Sequence, residues 1–165
     1  PMKGKRIKVT TPTTINAVIE FQSGAQVTLG ASWDVWKHGH VNPIELYGSE
    51  GTMLVPDPNF FGGPLQVTER GGEFETVSTE DAPFSKANWT NNRANYRMLG
   101  VADLLDAAET GREPRCSGRV ALHALDVMVS ILRAAEERQI VTLSTTTERP
   151  ALLTPEDAAR LTAAR

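Results

Sequence analysis

Cysteine is nearly missing from this chain of 165 residues. Only Cys116 is present, so no internal disulfide framework can staple the fold. Long apolar runs are missing too. The uninterrupted apolar stretches fall far short of the ~20 residues that span a bilayer, and no basic-then-apolar leader opens the chain. Nor is there an excess of basic charge: 17 Lys and Arg stand against 20 Asp and Glu, a formal net charge of -3, with no basic block. That leaves no electrostatic footprint for nucleic acid or an anionic membrane, and neither partner is expected. A cytoplasmic setting is expected.

Nucleotide and nucleophile fingerprints are equally lacking. There is no G-x-G-x-x-G, P-loop, G-x-S-x-G, C-x-x-C or H-E-x-x-H. The glycine pairs Gly62-Gly63 and Gly71-Gly72 lie among turn residues, whereas a dinucleotide cradle needs a strand-to-helix junction that sets pyrophosphate on a helix N-terminus. This chain alone is therefore expected to hold no cofactor. Cys116 just precedes a helix, where its thiol is either activated or simply packed.

What is present is a globular composition, 40% hydrophobic and 22% charged. It fits one domain with one core. The chain opens on Pro1, with Lys3, Lys5 and Arg6 ahead of the first strand pattern, which suggests a fragment.

Period-2 alternation fills the first half. Ile15, Ala17, Ile19 and Phe21 share one face, and after Gln22-Ser23-Gly24 the pattern resumes with Ala25, Val27, Leu29, Ala31 and Trp33. A three-residue loop ending in glycine predicts an antiparallel hairpin. Further strands are expected over Ile44–Tyr47 and Thr52–Val55, and a second hairpin over Leu65–Thr68 and Phe74–Val77. The expected sheet is open and largely antiparallel, with one dry face and one polar face.

The second half changes period. Spacing near 3.6 predicts a helix between Asn88 and Ala108, stopped by Gly111, and a second from a Ser117 cap to about Arg138. In the second, His123, Asp126, Ser130, Arg133 and Glu137 form a polar stripe, while Leu122, Leu125, Met128, Val129, Ile131 and Leu132 cover most of the rest; burial is expected. Ile140–Leu143 reads as a last strand. Thr154, Pro155 and Asp157 announce a short terminal helix. Strands followed by helices argue for an α+β fold.

Two clusters carry candidate chemistry. Asp34, Trp36, Lys37, His38 and His40 crowd a strand end. They can be read as a metal site from Asp34, His38 and His40, as a polar substrate wall with indole against sugar carbon faces, or as a plain loop whose tryptophans finish the core. The amide-rich run from Asn88 to Arg97 holds Trp89, Arg93, Tyr96 and Arg97. Its guanidinium groups can fork onto a carboxylate or phosphate, or merely solvate a first turn. His123 with Asp126 reads either as an oriented base pair or as the wet stripe of a helix.

Taken in order, several segments resemble one family. These are Glu45 to Met53, Pro56-Asp57-Pro58-Asn59, Gly100 to Leu104, Gly111-Arg112-Glu113-Pro114-Arg115 and Ala121 to Leu125. Over roughly Thr11 to Pro150 the chain resembles the C-terminal domain of the Gfo/Idh/MocA oxidoreductases. The resemblance implies an open sheet with helices on one face, which completes a sugar or polyol site and makes oligomers through the sheet. It also implies a preceding Rossmann domain that binds NAD or NADP. The family's Glu-Lys-Pro and Asp-x-x-x-His elements do not occur here, so no residue of this chain is expected to be catalytic. By the same resemblance His38, His40, Tyr96 and Arg97 are substrate-binding and His123 is structural; Trp36 joins the expected substrate residues for its indole, and no metal is expected. The alternative is a non-catalytic homodimeric binding or interaction module.

Overall fold

A computed structural model of the chain describes residues 4–36, 43–90 and 93–162. It is an α+β protein with two open antiparallel sheets and three helices. By its internal contacts the chain divides into two compact units, residues 1–40 and residues 41–165.

The first unit is the hairpin β1 (Thr14–Glu20) and β2 (Gln26–Ser32), paired antiparallel from Thr14↔Ser32 to Glu20↔Gln26. The register places Ile15, Ala17 and Ile19 opposite Ala31, Leu29 and Val27, so the apolar residues of both strands share one face, as the alternation requires. Gly24 has φ of +85°, which closes the turn at no steric cost and lets its N–H bond the Phe21 carbonyl at 2.8 Å.

In the second unit β3 (Ile44–Tyr47), β4 (Gly51–Val55), β5 (Leu65–Glu69) and β6 (Glu75–Val77) form a sheet in that order, every neighbour antiparallel. Paired positions put Ile44, Leu46, Met53, Val55, Leu65, Val67 and Val77 on one face, and Glu45, Tyr47, Thr52, Gln66, Thr68 and Thr76 on the other. Leu54 joins the polar face and Glu75 the apolar one, and Ile44, Leu46 and Val77 are exposed, so the expected dry face is only partly covered. Gly51 is required by close approach: a Cβ there would stand 2.3 Å from the Thr68 carbonyl oxygen of β5.

The helices are α1 (Leu99–Thr110), α2 (Gly118–Glu137) and α3 (Pro155–Thr162). Ser117 caps α2 by accepting from the Val120 N–H. Thr154 and Asp157 cap α3 reciprocally: the Asp157 N–H donates to Thr154 Oγ1 and the Thr154 N–H to Asp157 Oδ2, each at 3.1 Å.

Three expectations are corrected. Helix α1 begins only at Leu99, because the described residues ahead of it, 88–90 and 93–98, form a loop. There the Trp89 N–H bonds the Arg93 carbonyl, and the Asn88 amide bonds the Asn95 backbone in both directions. Ile140–Leu143 is not a strand; Ile140 lies open and the segment has no ladder among the described residues. Helix α2 is not mostly buried. Its covered side holds His123, Asp126 and Ser130 of the polar stripe, tied to Ser144 and Thr145, with Val127 and Ile131, while Leu122, Leu125, Met128, Val129 and Leu132 are exposed.

Candidate functional site: a cavity at the entry to α1

The loop that leads into α1 is built around Tyr96. Its ring meets Phe61 edge-on at 5.8 Å and Phe84 at 5.1 Å, and its hydroxyl donates to the Lys86 carbonyl at 3.1 Å. Ala94, almost completely buried, accepts from the Phe61 N–H at 3.1 Å, which joins this loop to the turn after β4. Phe84 sits at φ of +62°, a left-handed conformation that a bulky side chain rarely adopts. It is held by Ser85, whose hydroxyl donates to the Ala82 and Glu80 carbonyls at 2.8 and 3.1 Å. Such outliers concentrate at working sites.

These residues open onto a cavity of about 430 Å³. Small-molecule sites span roughly 300–1,000 Å³. Phe84, Trp89, Tyr96, Met98 and Leu161 supply apolar wall, Asn95, Arg97 and Thr162 the polar groups, and among the described lining residues none carries a carboxylate. Arg97 is anchored through Nη2, which donates to Asn59 Oδ1 at 2.8 Å and to the Asn59 carbonyl at 3.3 Å. Among the described residues no Asp or Glu forms an ion pair with it.

The wall that α3 contributes is positioned by charge. Asp103, Arg112, Asp106, Arg160, Asp157 and Arg115 form a closed ring of alternating acids and bases. Arg112 reaches Asp103 and Asp106, each at 2.7 Å; Arg160 reaches Asp106 at 2.9 Å and Asp157 at 2.7 Å; Arg115 reaches Asp157 and Asp103, each at 2.6 Å. The ring locks α3 to α1 and so sets Leu161 and Thr162 over the cavity. Hydrogen bonds from Arg160 and then Arg112 hold the Asp106 carboxyl down at a pKa of about 2. For Asp103 burial pushes upward, but bonds from Arg112 and Arg115 outweigh it and the net shift is down. Asp157 is lowered by the Thr154 N–H and then by Arg160.

The ring is the feature that reading the sequence missed. Its one local signal is Asp103 and Asp106, three apart on one helix face; the other members come from a loop and a distant helix.

Of the sequence-derived site residues, the structure brings Tyr96 and Arg97 together at this cavity. Trp36 belongs to the first unit and is fully solvent-exposed. His38 and His40 lie outside the described residues. Asp34 accepts from the Thr13 and Thr14 hydroxyls, first and second in effect, and its pKa is lowered by them. His123 and Asp126 make no pair: His123 Nδ1 bonds Thr145 Oγ1 at 3.0 Å, and Asp126 accepts from both N–H groups and both hydroxyls of Ser144 and Thr145. Their work is to tie the segment after α2 back to the helix. Cys116 is exposed.

The residues present do not fit a nicotinamide dinucleotide. Its pyrophosphate needs a strand that turns through glycines into a helix. Among the described residues α1, α2 and α3 are each entered from a loop. No group of three or more His, Cys, Asp or Glu suited to a metal ion occurs among them, and no described helix is long and apolar enough to cross a membrane. Comparison of the chain with family models, with curated proteins and with solved structures finds no match.

Proposed function

We propose that this chain is the substrate-binding and oligomerisation part of a cytoplasmic NAD(P)-dependent sugar or polyol dehydrogenase. The observation that carries the reading is the cavity where Tyr96 and Arg97, two of the residues expected to line the substrate cleft, stand beside Trp89 and Phe84. Aromatic faces pack on sugar carbons, and an amide and a guanidinium orient hydroxyls. In the complete protein a preceding Rossmann domain would hold NAD or NADP, which accepts or returns hydride at a secondary alcohol carbon. This chain's own residues bind and orient the substrate; proton transfer belongs to groups outside it.

The test is to express the chain together with the reading frame upstream and screen for sugar- and polyol-dependent reduction of NAD and NADP. Expected is turnover that falls at least tenfold in kcat/KM with Tyr96→Ala. A start codon at this point with no dinucleotide-binding domain before it would overturn the reading. The second reading, a non-catalytic homodimeric module, is favoured by the uncovered apolar side chains of α1 and α2. Such patches mark interaction surfaces.

A further inference from the structure

We infer that the cavity at the entry to α1 selects ligands that carry a carboxylate, so that within the proposed function the substrate is a sugar acid rather than a neutral sugar or polyol. The inference rests on that reading for its sugar but not for its charge.

Charge is the first argument. Arg115, Arg119, Arg112 and Arg160 are each ion-paired to a carboxylate of this chain, and Arg93 lies over the Phe60 ring at 4.3 Å. Arg97, like Arg6, Arg70, Arg133, Arg138 and Arg149, has no ion-pair partner among the described residues, but it alone of these lines the cavity, where its protein partners are the two neutral oxygens of Asn59. Both Asn59 contacts use Nη2, which leaves Nη1 and Nε as separate donors for a ligand. A carboxylate can meet this cation through a single charge-assisted N–H donor.

Polarity of the wall is the second argument. Every hydroxyl brought out of water needs a hydrogen-bond partner, in a neutral sugar and in a sugar acid alike, so with few partners on the wall it is the charge that separates the two. The cavity offers few: Tyr96 donates to the Lys86 carbonyl, Thr162 to the Ala158 carbonyl, and the other polar side chains are Asn95 and Arg97. The remaining wall is ring and aliphatic surface. One charged anchor and a broad apolar face suit a ligand with one acidic group and a flat carbon face. A sugar acid and an aromatic acid share that chemistry.

The experiment is titration of the chain with galacturonate, galactose, myo-inositol and 4-hydroxyphenylacetate. It is followed through the Trp89 indole N–H resonance, which is assigned by its loss in Trp89→Phe. Expected is binding of galacturonate at least tenfold tighter than galactose, with the preference abolished in Arg97→Gln, largely kept in Arg97→Lys and weakened by 0.5 M salt, roughly as screening predicts. Equal binding of galacturonate and galactose, or a preference untouched by Arg97→Gln, would overturn the inference while leaving the sugar reading standing. Binding of 4-hydroxyphenylacetate with neither galacturonate nor any neutral sugar would uphold the carboxylate and overturn the sugar. A Trp89 signal unmoved by every ligand would overturn both.

Discussion

Strand β1 and the helices α1 and α2 treat their apolar faces in opposite ways. In β1 the alternation does what it announces, with Ile15, Ala17 and Ile19 half-buried and the positions between them exposed, whereas Val27, Leu29, Ile44, Leu46 and Val77 of the other strands are open. In α1 the buried residues are Asp103, Asp106 and Ala107, while Val101, Leu104 and Leu105 are exposed. In α2 the buried residue is Ser130, and a row of leucines, valine and methionine is open. A strand's face is decided by its hydrogen-bonded neighbours, which come from nearby sequence. A helix satisfies its own backbone, so which stripe is covered depends on what arrives from elsewhere. Here what arrives is polar: the arginines of the ring on α1, and Ser144 and Thr145 on α2.

The sharpest way to break this contrast is to remove the central acid of the ring. Asp106→Ala strands the Arg112 and Arg160 guanidinium groups beside a hole, and breaking such a pair is far costlier than never having made it. We expect a fall in melting temperature on the order of 10 °C, together with loss of ligand response at Trp89, because α3 carries part of the cavity wall. An unchanged melting temperature would mean that charge is not what joins α3 to α1.

Acid probes the same clasp without mutation. The Asp106 carboxyl has a pKa of about 2 in the folded protein against an ordinary value of 3.8. A depressed carboxylate contributes stability that is fully present above its unfolded pKa and is lost as pH falls through the folded one. Asp103 and Asp157 are shifted in the same direction and add to the effect. Amide-exchange protection in α3 is therefore expected to hold at neutral pH and to collapse between about pH 4 and pH 2. Loss of protection above pH 5 would contradict the assignment.

Legibility from sequence follows the same division. The hairpin, the four-stranded sheet and the caps at Ser117 and Thr154 were readable because each is decided within a few residues. The start of α1 was not. Trp89 and Tyr96 are spaced as in a helix, yet Tyr96 is drawn between Phe61 and Phe84, and the Asn88 amide closes a loop on Asn95. Ile140–Leu143 has strand-forming residues but no ladder among the described residues, and a strand exists only by pairing. At the candidate site, the run holding Tyr96 and Arg97 is marked by its amides and guanidinium groups, while their place at a substrate comes from the resemblance. The ring joins Asp103 to Asp157 and Asp106 to Arg160 through contacts no local period encodes.

The smallest expected effect tests the exposed half of the contrast. Leu125 stands on the open side of α2 and is about half exposed. Replacing it with Gln, also a good helix former, removes apolar surface without breaking any hydrogen bond of the fold. If that face is free in the isolated chain, Leu125→Gln should change its stability by no more than about 0.5 kcal/mol. Under the proposed function the same face awaits cover, so in the complete protein the substitution should weaken assembly, read as a shift toward smaller species in sedimentation. Chemical denaturation and sedimentation on both forms separate the cases. A large loss of stability in the isolated chain would show that α2 already buries this stripe, and the contrast between β1 and the helices would then fail at its clearest point.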